Sequence, residues 1–92
     1  MNASEIERRL NALIDELASI EHERWAHWQR YMHAQGKLQP DGSLVIPADL
    51  VRRWESQIQR AYADLSEVEK ESDREQVRRV LPLIISALAV PK

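Results

Sequence analysis

A chain of 92 residues with 13 Lys and Arg against 15 Asp and Glu, three His and no Cys allows one domain. The missing Cys excludes disulfide scaffolds, thiolate zinc sites and thiol catalysis, and a net charge of −2 lacks the signature of a nonspecific nucleic-acid binder. With 43% hydrophobic and 30% charged residues the composition is globular, yet a core this small is marginal: either the three Trp and the aliphatics pack very well, or a second copy of the chain completes it.

Ser4-Glu5-Ile6-Glu7 reads as a capping box opening a helix. Ile6, Leu10, Leu13, Ile14, Leu17, Ile20, Trp28, Tyr31 and Met32 then recur at helical spacing, within one arc of about 120°. No Pro or Gly intervenes before Gly36, so the spacing predicts one long helix from Ser4 to Ala34 with Gly36 as a left-handed cap. Between Lys37 and Ile46, a Pro40-Asp41-Gly42 turn separates two short runs and predicts a small two-stranded ribbon leaning on the helices. Pro47 suits the start of a second helix, carried by Leu50, Val51, Trp54, Ile58 and Tyr62 to about Tyr62. A second capping box, Ser66-Glu67-Val68-Glu69, opens a third helix with Val77, Val80, Leu81, Ile84 and Leu88 on its apolar face. Pro82 is expected to kink or split it. The fold class is therefore mostly α: a single three-helix domain over residues 1–92, with a short β-hairpin between helices one and two.

Charged residues interrupt the apolar faces. Glu21 and Arg24 fall at the centre of the first arc with Trp25 at its edge, while Lys70 and Asp73 share the face of Val77, Val80 and Ile84, with Arg74 nearby. One explanation is a partly buried ion network between packed helices, which desolvation keeps from stabilising much. The other is a pocket for an anionic ligand, since Arg forks suit phosphates and aromatic rings suit bases.

Catalysis finds no support. His22 and His27 are i, i+5, about 140° apart around a helix, rather than the i, i+4 pair of a zincin. His22 and His33 share a face but stand three turns apart, too far for one metal. No Gly-x-Ser-x-Gly elbow is present, and two Gly leave no Gly-rich phosphate loop. The pairs Arg52-Arg53 and Arg78-Arg79 are interleaved with Glu and read as solvated faces. Leu81 to Val90 is apolar nearly all round; it is either a central buried element or, preferred for a domain this small, a subunit contact making the chain a homo-oligomer. That stretch is half a membrane span, and the polar N-terminal residues do not read as a signal peptide, so a soluble cytoplasmic protein without membrane partners is expected.

His22-Glu23-Arg24-Trp25 resembles the His-Glu-x-Trp signature of the ryanodine-receptor repeat domain. The block from Tyr62-Ala63-Asp64-Leu65 through Glu69-Lys70 to Asp73-Arg74 is similar to that family's second signature: Tyr-x-x-Leu, an acidic turn, Glu-Lys and Asp-Arg. The resemblance covers roughly Leu17 to Leu88. The family's usual Gly-Trp-x-Tyr-Gly is replaced by Tyr31 to Gly36, and the hairpin and second helix exceed the receptor linker, so the likeness is to the small stand-alone bacterial and phage type. It implies a mostly helical, non-catalytic binding module without cofactor. Small phage proteins of this size include oligomeric sponges that sequester cyclic-nucleotide or ADP-ribose immune signals, and this implies a phosphorylated nucleotide ligand. On the matched positions, Trp25 and Tyr62 would stack on base or ribose and Lys70 and Arg74 would meet phosphate. Glu23 and Asp73 would orient the cations or bind ribose hydroxyls, and His22 completes the motif. The alternative is a protein-interaction module or inhibitor that contacts a host protein directly.

Overall fold

The computed structural model describes residues 1–89. Among them are four helices and one hairpin: α1 (Ala3–Asn11), α2 (Ile14–Gln35), β1 (Lys37–Leu38), β2 (Leu44–Val45), α3 (Ala48–Gln59), a 3-10 turn (Tyr62–Asp64) and α4 (Glu67–Leu88). The mostly helical class and the hairpin follow the expectation; the count of three helices does not. The long first helix is divided at Ala12–Leu13. Ala12 N–H still reaches the Arg8 carbonyl at 3.1 Å, but Leu13 N–H takes the Leu10 carbonyl at 3.0 Å, a turn tightened to the 3-10 pattern. No Pro or Gly compels this break. Both segments pack on α4.

Local chemistry explains most boundaries, with two corrections. The first cap is Asn2, whose side chain accepts from Glu5 N–H at 2.9 Å, and Ser4 lies inside the helix rather than capping it. Gly36 closes α2 in an extended conformation (φ −76°, ψ 149°), not a left-handed one. Its lack of a side chain serves close approach instead: a Cβ there would sit 3.0 Å from Leu44 Cβ. The left-handed glycine is Gly42 (φ +88°), following a turn closed by Gly42 N–H to the Gln39 carbonyl at 3.0 Å. Asp41 Oδ1 braces that turn, accepting from the Ser43 N–H at 3.0 Å and hydroxyl at 2.6 Å. The strands pair antiparallel, Lys37 opposite Val45 and Leu38 opposite Leu44.

Pro47 stands at the N-cap of α3, which ends at Gln59 and so stops short of Tyr62. The Ser66 box opens α4 as expected, with Glu69 N–H donating to Ser66 Oγ at 3.2 Å and Ser66 N–H to Glu69 Oε1 at 3.1 Å. Pro82 does not split α4, which runs without interruption to Leu88. The last residue of the apolar stretch, Val90, lies outside the described residues.

These elements do not enclose a core. None of the described residues is buried, and the chain measures 60 × 33 × 18 Å. Its radius of gyration is 18.5 Å, whereas a compact domain of this length has about 12 Å. Among the described residues no helix is long and apolar enough to cross a membrane.

Candidate functional site

Four of the seven positions singled out by sequence, Tyr62, Lys70, Asp73 and Arg74, converge at the start of α4. The 3-10 turn sets Tyr62 against that helix, where Arg74 Nε donates to the phenol oxygen at 3.0 Å and Lys70 Nζ stands 5.9 Å from the ring centroid. Lys70 and Arg74 are four residues apart, hence neighbours on one face. Tyr62, Asp73 and Arg74 then border a shallow hollow with Val77 and Arg78.

Both cations face carboxylates. Lys70 lies 3.6 Å from Glu67, and Arg74 Nη1 lies 3.4 Å from Glu67 and 3.3 Å from Glu71. Glu71 also pairs with Arg78. Hydrogen bonds from Arg78 and Arg74 hold the Glu71 carboxyl below its ordinary value, while those to Glu71 and Tyr62 hold Arg74 above its own. A phosphate reaching Lys70 and Arg74 has to displace Glu67 and Glu71. Lys70 is half-buried, but the carboxylates it and Arg74 face stay open to solvent, so each pair contributes little to stability.

The other three positions lie on α2. His22 and Trp25 stack with ring centroids 5.8 Å apart, and Glu23 pairs with Arg79 across to α4. Glu23 thus acts as an interhelix tie, while Trp25 leans on its own helix and is 56% exposed. The two rings assigned to one ligand, Trp25 and Tyr62, stand in different neighbourhoods.

The aromatic residue that does border grooves is Trp28. A groove of about 330 Å³ between α2 and α4 is lined by Leu17, Ile20 and Trp28 on one side and Val77 and Val80 on the other, with Glu21, Arg24 and Asp73 among them. Trp28 and Asp73 also border a second hollow toward Ile58, Leu65 and Val68. Trp28 meets Tyr31 edge-on at 5.8 Å and faces Trp54 of α3. The signal for it was in the arc: Trp28 falls among Leu17 and Ile20, whereas Trp25 sits at the rim. Within the groove Arg24 Nε donates to Glu21 Oε2 at 3.0 Å, and that bond lowers Glu21 and raises Arg24; Asp73 adds to the rise in Arg24 from across the groove. The charged residues of the two faces are thus split: Glu21 and Arg24 pair with each other, while Lys70 and Arg74 pair within α4.

Among the described residues no group of three His, Asp or Glu is placed to hold a metal ion. Comparison with protein-family models, curated proteins and solved structures finds no match.

Proposed function

We propose that this chain is a non-catalytic interaction module, working by protein–protein contact through the open faces of its helices. One observation carries this reading: none of the described residues is buried, although Leu17, Ile20, Trp28 and Val80 occupy the positions that should form a core. Apolar burial is the main favourable term in folding, so a chain that leaves this face open acquires its cover from outside. Small-angle scattering of the purified protein tests the reading. An elongated particle or an assembly is expected. A monomer with a radius of gyration near ~12 Å would mean that one chain closes its own core, and the reading would fail.

The convergence of Tyr62, Lys70, Asp73 and Arg74 favours a second reading: capture of a phosphorylated nucleotide of the cyclic or ADP-ribose type, as a phage sponge countering bacterial immune signalling would do. Here Tyr62 stacks on the base, and Lys70 and Arg74 exchange Glu67 and Glu71 for phosphate. Thermal unfolding against cyclic dinucleotides, ADP-ribose, NAD and ATP tests it, because a ligand of the folded state raises the midpoint by mass action. A selective rise that is lost in Lys70→Ala/Arg74→Ala supports capture; a flat panel leaves protein contact as the function.

A further inference from the structure

We infer that the occupant of the open face of α2 and α4 is a second copy of this chain, packed across a twofold axis. This rests on the interaction reading above and names its partner.

The area argues for a copy. The chain exposes 7458 Å², whereas a compact monomer of 10.7 kDa exposes about 5,500 Å². The excess of about 2,000 Å² per chain becomes about 4,000 Å² for a pair, within the range of obligate homodimers.

The geometry of the face agrees. Val77, Leu81 and Ile85, at i, i+4 and i+8, form one ridge along α4 and are 58%, 44% and 65% exposed. Across the groove stand Leu17, Ile20 and Trp28. At 22 residues each, α2 and α4 are about 33 Å long. Two copies supply four such helices, the number that closes a bundle around one core.

Charge selects the same occupant. The face carries both signs, with Arg24 near Glu21 and Asp73. An isologous contact brings a patch against itself and therefore needs both signs within it, so that the cation of one copy meets a carboxylate of the other. A strongly acidic or basic partner would call for a face of one sign.

The test is the mass of the wild-type chain by light scattering, its radius of gyration, and the same measurements on Val77→Glu/Leu81→Glu. Leu38→Glu serves as a control, since Leu38 is 71% exposed on the hairpin, away from the ridge and the groove. The wild type and Leu38→Glu are expected at twice the 10.7 kDa chain mass, and the double variant at the chain mass, with dimer affinity weakened at least ~100-fold. Should the double variant unfold, the wild-type melting midpoint decides: a rise with protein concentration supports the dimer, and independence of concentration overturns it. A wild-type monomer that keeps a radius of gyration near 18.5 Å overturns the second copy and leaves the interaction module with a foreign partner. A compact monomer overturns both. An assembly larger than two overturns the twofold pair.

Discussion

The Arg9 guanidinium donates to the Ala87 carbonyl oxygen at 3.2 Å, joining residues 78 positions apart in the chain. Carbonyls in the last turn of a helix have no donor within the helix, and a cation there also meets the negative end of its dipole. Arg9 therefore supplies α4 with a C-terminal cation, which the last turn of the helix does not itself carry.

Replacing Arg9 with Ala removes both effects, and a loss of about 1–2 kcal/mol is expected. Thermal unfolding followed by circular dichroism should show a lower midpoint, with Arg9→Lys recovering part of it. An unchanged midpoint would mean that α1 docks through its apolar residues alone.

Ser66→Ala removes one half of a reciprocal cap and should cost about 1 kcal/mol. Fraying should concentrate in the first turn of α4, where the Ser66 hydroxyl accepts from Glu69 N–H. Amide exchange there is the measurement, and Ser66→Asp, which restores an acceptor, should reverse the effect.

Acid should destabilise the fold through Glu69 and Glu71. The Glu69 carboxyl is held below 4.5 chiefly by its hydrogen bond with Ser66, and Glu71 by those with Arg78 and Arg74. Because the folded values lie below the unfolded ones, the unfolded chain binds more protons in the interval between them. The contribution is complete above pH 4.5 and is lost as the pH falls through the folded values. Melting midpoints taken between pH 7 and pH 3 should hold steady and then drop below the ordinary carboxyl range, with a shallower drop for Glu69→Gln. A midpoint that starts falling near neutrality would overturn the assignment to Glu69 and Glu71.

In the hairpin, Gly42→Ala places a Cβ on a residue at φ +88°, a strain of about 1 kcal/mol, whereas Gly42→Asn should be milder. Gly36→Ala acts differently, since its Cβ would meet Leu44 Cβ at 3.0 Å and push β2 aside. Backbone resonances of Lys37 to Val45 should shift locally for Gly42→Ala and extend into the end of α2 for Gly36→Ala.

Of the seven positions chosen from sequence, the four nearest in the chain, Tyr62 to Arg74, come together. Helical spacing and one short turn are enough to place them. Glu23 and Trp25 reach into no shared site with Tyr62, because their motif specifies spacing along one helix and not the side that meets α4. Trp28 was legible as an apolar-arc residue, but its place at the meeting of α2, α3 and α4 depends on how the three helices assemble.

The cap of α4, the hairpin turn and the helical faces were thus determined by the sequence itself. Ser66 and Glu69 sit three residues apart, Pro40-Asp41-Gly42 supplies its own turn chemistry, and apolar residues recur at 3.6-residue spacing, all interactions within a few residues of the chain. The docking of α1 on α4, the tie from Arg9 to Ala87 across 78 positions and the place of Trp28 beside both α3 and α4 were decided only by tertiary structure. Each depends on a neighbour distant in sequence, which spacing along a single helix does not specify.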